Sequence, residues 1–218
     1  MTDSVLVMVR YPVVGRAKTR LAAGIGAEKA AEFYRICARR ILREIDSLPA
    51  AIGRYIFFAD SPDRHSMEDW AGPGFVLREQ VGEDLGERLT NAFKEVFSLG
   101  TRKAVIIASD VPDFSADIIG RAMVALDSFD LVLGPCLDGG YYLLGMRSAH
   151  PELFRDIPWS SAEVKDRTLE RAGKLGLASC LLPELIDVDD FEDFKKWLAL
   201  CCEKDRKISD FVRGLDLS

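Results

Sequence analysis

An α/β fold, with a mostly parallel central sheet flanked by helices, is predicted by three observations. Short β-branched runs alternate with longer segments of helical period, the first run is apolar almost without a break, and no internal repeat or low-complexity tract interrupts the alternation. The 218 residues, 48% hydrophobic and 29% charged, have the composition of a folded chain and are read as a single domain, 1–218.

Val5 to Val9 is the first strand, and its continuous apolar character places it inside a parallel sheet rather than at an edge. Pro12 and Gly15 then break regular structure, and the segment behind them is read as an extended loop. A helix is predicted from Ala27 to about Ser47, with Ala30, Phe33, Tyr34, Cys37, Ile41 and Ile45 at helical spacing. Tyr55 to Ala59 is the second strand. A polar stretch through Pro62, Gly72, Pro73 and Gly74 separates it from a third, Phe75 to Arg78, and a helix carrying Leu85, Leu89, Phe93, Val96 and Phe97 follows.

Ala104 to Ala108 is the next strand. Ser115 is the expected cap of a helix bearing Ile118, Ile119, Ala122, Met123 and Leu126, which leads to the strand Leu131–Leu133. Tyr141 to Met146 follows too closely for a helical crossover, so this pair is expected to be antiparallel or split between sheets. Ser160 with Glu163 suggests a capping box for a helix ending near Gly176. The strand Ala178–Leu182, a helix Phe191–Cys202 with Phe191, Phe194, Trp197, Leu198 and Cys201 on one face, and a short polar tail complete the chain.

Composition narrows the function. A formal charge of −6 argues against wrapping a nucleic-acid backbone, so any phosphate must meet a local basic cluster. No apolar run is long enough to span a bilayer and the amino terminus does not read as a signal peptide, so a cytoplasmic protein is expected, with no membrane partner. Five scattered cysteines without CxxC spacing suggest neither a disulfide framework nor a zinc site, and each is read as a small buried hydrophobe. Only His65 and His150 are present, which excludes a histidine-rich metal site.

In an open α/β sheet, ligands collect beyond the carboxyl ends of the strands. After the first strand, Arg16, Lys18 and Arg20 stand at alternate positions behind Gly15, and in an extended loop they would face one side and neutralise a diphosphate or triphosphate. Asp110, at the exit of the fourth strand, suits Mg²⁺, or Mn²⁺ in its place, because these ions prefer oxygen ligands and bridge substrate phosphates. Asp187 and Asp189, at i and i+2 after the last strand, could add further ligands, against the plainer role of helix capping open to Asp189 or Asp190. Asp138 precedes Gly139-Gly140, two glycines that permit a close backbone approach to a ligand or simply make a turn. The polar loop containing Gly86, Glu87 and Arg88 enters a helix and could offer donors to a base, ribose or phosphate.

These segments resemble a known family. Pro12-x-x-Gly15-x-x-Lys18-Thr19-Arg20-Leu21, Asp84-Leu85-Gly86-Glu87-Arg88, Ser109-Asp110-x-Pro112-Asp113, Asp138-Gly139-Gly140-Tyr141-Tyr142, Ile157-Pro158-Trp159-Ser160 and Asp187-Val188-Asp189 are similar to motifs of the bacterial nucleotide-diphospho-sugar transferase, or glycosyltransferase-like, proteins of the selenodomain-associated type. The resemblance runs from Val5 through Phe194. It implies a GT-A-like three-layer fold, shared with nucleotidyltransferases such as 2-phospholactate guanylyltransferase and the molybdenum-cofactor guanylyltransferase. Ala22 follows Leu21 where the family often has proline, and the Asp-x-Asp motif of glycosyltransferases is replaced by Ser109-Asp110-Val111-Pro112-Asp113, closer to the nucleotidyltransferase pattern.

The expected function is therefore a Mg²⁺- or Mn²⁺-dependent transferase. Its donor would be a nucleoside diphosphate sugar, with Lys18 and Arg20 on the phosphates, Arg16 assisting, Asp110, Asp187 and Asp189 around the metal, and Asp138 positioning a small-molecule acceptor. Nucleotidyl transfer from a nucleoside triphosphate is the close alternative, and a non-catalytic nucleotide-binding protein is the rival from another class.

Overall fold

The computed structural model describes residues 2–200 and 206–215. Among them, seven strands form one sheet: β1 (Thr2–Arg10), β2 (Gly53–Ala59), β3 (Val76–Glu79), β4 (Thr101–Ala108), β5 (Leu131–Pro135), β6 (Tyr141–Met146) and β7 (Ser179–Leu181), in the order β3-β2-β1-β4-β6-β5-β7. β1 runs parallel to both β2 and β4, with Leu6 opposite Tyr55 on one side and Ile106 on the other. β6 is the exception, antiparallel to β4 and β5, as its short connection requires. β5 and β7 are parallel again, so the carboxyl ends of the other six strands share one edge of the sheet.

Helices cover both faces, making three layers. The alternation along β1 sends Val5, Val7 and Val9 to one side, against Tyr34, Ala38, Ile41 and Ile45 of α2 (Ala27–Asp46). Leu6 points the other way, into a cluster with Leu89, Phe93 and Val96 of α4 (Leu85–Ser98). α3 (Arg64–Ala71) and α5 (Ala116–Ala125) join the first face, and α6 (Val164–Lys174) the second. A third cluster, around Phe33, Phe194 and Trp197, packs α1 (Thr19–Ile25), α2, α7 (Phe191–Leu200) and α8 (Arg206–Arg213) together beside the sheet.

Several expectations change. The segment behind Gly15 is not extended: Lys18 takes left-handed dihedrals (φ 50, ψ 50) and α1 begins at the next residue. The polar stretch after β2 contains α3, capped by Asp63, whose carboxylate accepts from the Ser66 N–H at 2.7 Å. The carboxyl-terminal tail contains α8, which buries Ile208 and Phe211. Ser115 sits at the N-cap position of α5 without a side-chain cap, and the Ala116 N–H donates instead to Glu44 Oε2 of α2 at 2.9 Å. The Ser160–Glu163 box does not form, because Ser160 is left-handed (φ 65) and Glu163 itself takes the N-cap position of α6. The last predicted helix face reaches Cys201, which lies outside the described residues.

Candidate functional site

The site begins where β1 ends. The chain turns through Gly15 (φ 78) to Lys18, whose side chain is only 7% exposed. Its ammonium donates to Asp110 Oδ2 at 2.9 Å and to Asp189 Oδ1. Burial works against the charge of Lys18, but the two carboxylates outweigh it and hold the ammonium well above the ordinary lysine range. Asp189 is itself partly desolvated, yet Lys18 and then Arg20 draw its carboxyl below the usual value. The carboxylates come from distant segments, and a backbone bond from the Val188 N–H to the Asp110 carbonyl (3.3 Å) holds those segments together.

Beneath this clamp, the Tyr34 hydroxyl accepts from the Arg10 N–H at 2.9 Å and shares a hydrogen bond with Ser109 Oγ at 2.8 Å. The exits of β1 and β4 are thereby fixed to α2. Asp190 takes the capping role that was open to either residue, its Oδ1 accepting from the Glu192 and Asp193 N–H groups at 3.0 Å. That leaves Asp187 and Asp189 facing the sheet edge.

Among the described residues Asp187 has no such cation of its own. Burial, and then the charges of Asp110, Asp138 and Asp189, push its carboxyl up to about 7. Its ligand atoms lie within 4.8 Å of those of Asp138 and Cys136. The Cys136 thiol is also pushed up, by burial and then by the charges of Asp187, Asp110 and Asp138, so it stays protonated. A concentration of negative charge with one buried ammonium is a poor receptor for a polyphosphate and a good one for a divalent cation. The donors nearest one another are Asp187, Asp138 and Cys136, while Asp110 and Asp189 are shared with Lys18; the expected set of Asp110, Asp187 and Asp189 is thus divided by the lysine.

The remaining residues line a cleft of ≈ 650 Å³ or support it. Arg16, Lys18, Arg20 and Arg88 all reach the cleft. Arg20 is two-thirds exposed and pairs with Asp190 at 2.8 Å, Arg16 has no ion-pair partner among the described residues, and Arg88 is braced by its Nε on the Gly82 carbonyl at 3.1 Å. Glu87 lies outside the lining and ties the entry of α4: its carboxylate accepts from the N–H of Glu83, one residue before the N-cap, while the N-cap Asp84 accepts from the Glu87 N–H, both at 2.8 Å. Gly86 is buried against Trp159, where an added Cβ would sit 2.9 Å from the indole nitrogen.

The close approach at Gly139 is to protein rather than to open space: a Cβ there would lie 2.1 Å from the Ala162 carbonyl oxygen. Asp138 turns its carboxylate onto the Gly140 N–H at 2.7 Å and does not line the main cleft. Sequence reading did not single out Cys136, Gln80 or Tyr34. Gln80 follows a strand directly, so the strand-exit rule contained the signal, whereas Cys136 looked like any buried cysteine.

A family model described as "Uncharacterized protein conserved in bacteria (DUF2064)" matches residues 47–161. A phosphoenolpyruvate guanylyltransferase from Chloroflexus aggregans is 32% identical over 123 residues, which are 54% of this chain and 58% of that protein. The match therefore spans less than two thirds of that relative. Over 98% of this chain and 95% of the other, the fold superposes with a TM-score of 0.88 and 30% identity on a "putative nucleotide-diphospho-sugar transferase" from Desulfovibrio desulfuricans G20. CMP:2-keto-3-deoxy-manno-octonic acid synthetase, solved with CTP, gives a TM-score of 0.55 at 12% identity over 91% of this chain and 98% of its own, a likeness of fold alone. The GT-A-like α/β class and the family resemblance read from the sequence both stand.

Proposed function

The chain belongs to the DUF2064 family of bacterial proteins, and from that premise we propose that it is a single-domain, metal-dependent transferase that moves a nucleotidyl group from a nucleoside triphosphate to a phosphorylated acceptor. The observation that carries this is the Lys18 clamp: a buried ammonium between Asp110 and Asp189 at the floor of a cleft rimmed by Arg16, Arg20 and Arg88. From the sequence alone a nucleoside diphosphate sugar ranks first as donor. The identity to a guanylyltransferase reverses that order and makes GTP and phosphoenolpyruvate the first substrates to try.

In this reaction an acceptor phosphate oxygen attacks the α-phosphorus of the donor, the bond to the bridging oxygen breaks, and pyrophosphate leaves. Arg16, Arg20 and Arg88 bind the β- and γ-phosphates and stabilise the charge that grows on the departing oxygen. Lys18 holds Asp110 and Asp189 in place and presents positive potential at the same floor. Asp187, with Asp110, Asp138 and Asp189 around it, would hold a divalent cation, Mg²⁺ or Mn²⁺, which supplies charge neutralisation for the polyphosphate when bound. Cys136, protonated and buried, adds packing to that pocket. The proposed donor is a cytoplasmic metabolite, and a cytoplasmic location goes with this reading; separately, among the described residues no helix is long and apolar enough to cross a membrane.

A second reading, glycosyl transfer from a nucleoside diphosphate sugar, is favoured by the name of the Desulfovibrio protein. Turnover distinguishes them. With Mg²⁺, nucleoside triphosphates and phosphorylated acids, the protein is expected to release pyrophosphate only when the acceptor is present, and chelation should abolish it. Lys18→Ala should lower kcat/KM by about 10²–10³, the scale of losing one preorganised charged contact. Nucleoside diphosphate released from a sugar nucleotide would establish the second reading, and nucleotide binding without turnover on any acceptor would establish the non-catalytic one.

A further inference from the structure

Ser109 directly follows β4 and is only 6% exposed, yet it lines the cleft beside Asp110 and Lys18. Its hydroxyl lies 2.8 Å from that of Tyr34, whose oxygen also accepts from the Arg10 N–H at 2.9 Å. Two hydroxyls carry two hydrogens, and one of them joins the pair. A phenol is the better donor and the poorer acceptor of the two, and this one already accepts from the backbone, so Tyr34 donates to Ser109. The Ser109 hydrogen is left without an acceptor among the described residues.

Lys18 keeps a donor at the same floor. An ammonium has three hydrogens, and Asp110 and Asp189 take two of them. Both remaining donors belong to side chains that are almost enclosed, Lys18 at 7% exposure, whereas Arg20 at the rim is two-thirds exposed. Once a ligand displaces water from the floor, the Ser109 hydrogen needs an acceptor, and an anionic oxygen supplies one. A hydroxyl that only braced Tyr34 would have no use for that hydrogen.

Resting on the reading that this cleft takes a triphosphate donor whose β- and γ-phosphates meet the arginines, we infer that the Ser109 hydroxyl donates to an oxygen of the α-phosphoryl group, the group that is transferred. Tyr34 is the positioning residue. Its hydrogen occupies one lone pair of Ser109 Oγ and turns the serine hydrogen away from the phenol. The bond to the α-phosphoryl oxygen exists before attack and holds that group against the floor, where Asp110 stands next in the chain. Because the donor is neutral, it fixes the phosphoryl group without competing with Lys18 for the carboxylates.

Calorimetric titration with Mg²⁺ and no acceptor compares GTP with inorganic pyrophosphate, which has no α-phosphoryl group. Ser109→Ala should bind GTP about tenfold more weakly, the scale of one hydrogen bond to a charged group, and pyrophosphate within about twofold of wild type. Tyr34→Phe keeps the serine donor and loses only its orientation, so its loss for GTP should be smaller. Ser109→Ala strands the phenol hydrogen in the core, so its melting temperature is recorded and Tyr34→Phe/Ser109→Ala, which removes both hydroxyls, is titrated beside it. The double variant should lose GTP affinity as Ser109→Ala does and keep its affinity for pyrophosphate. Unchanged GTP affinity in folded Ser109→Ala, an equal loss for pyrophosphate, or an equal loss in Tyr34→Phe would overturn the inference and leave nucleotidyl transfer standing. A folded wild type that binds no triphosphate would overturn both.

Discussion

Asp187 stands among Asp110, Asp138 and Asp189, and the cation it feels most, Lys18, is already bonded to two of those neighbours. Its carboxyl titrates at about 7 in the folded protein, against roughly 4 in an unfolded chain. The folded state thus binds this proton more tightly, and the stability it contributes is complete below about pH 4 and lost as pH rises through 7. In chelator, the wild-type melting temperature should accordingly fall between pH 5 and pH 8 more steeply than that of Asp187→Asn. At pH 8 the variant should melt several degrees higher, since each kcal/mol is worth about 2–4 °C in a chain of this size. Saturating Mg²⁺ should return that difference to the wild type and do little for the variant. Parallel curves of melting temperature against pH would remove Asp187 from the cation pocket.

At the scale of elements, two glycines of positive φ separate strain from collision. Gly15 (φ 78) has open space where a Cβ would go, and Gly139 (φ 90) has the Ala162 carbonyl. Gly15→Ala should therefore cost only the left-handed penalty of about 1–2 kcal/mol, a fall of some 2–8 °C in melting temperature. Gly139→Ala should lose more, because Ala162 or the turn must move and Asp138 moves with it. Its kcat/KM should fall beyond what the remaining folded fraction explains. Equal melting temperatures for the two variants would contradict the contact. The strands were legible because apolar runs such as Val5–Val9 have one physical use, burial on both faces. The short helices α1, α3 and α8 were not: α1 starts only because Lys18 adopts left-handed dihedrals, which a lysine does not advertise. α3 did carry a signal, Asp63 and Ser66 ahead of Met67 and Trp70, but two buried residues in one turn make a weak period.

Across the whole molecule, the strand-exit rule assigns Lys18, Asp110, Asp138, Asp187 and Asp189 to one edge from sequence alone, because parallel topology places those segments there. What it could not supply was the pairing among them. Lys18 meets carboxylates 92 and 171 residues away, and nothing in local sequence distinguishes a lysine that holds the floor together from one that projects into solvent. That pairing changes the expected energetics of ligand binding. With its buried cation already committed to carboxylates in a chain of net charge −6, the cleft should resist a bare triphosphate and accept it once a divalent cation has offset the carboxylates. Thermal denaturation at fixed ionic strength reads this directly. GTP alone should shift the melting temperature little, Mg²⁺ alone modestly, and the two together by more than their sum. At about 100 times the dissociation constant the gain is about 2.7 kcal/mol, or some 5–11 °C. An equal shift by GTP in chelator would mean that the arginines suffice without a metal, and the acidic pocket around Asp187 would then need a role apart from the donor.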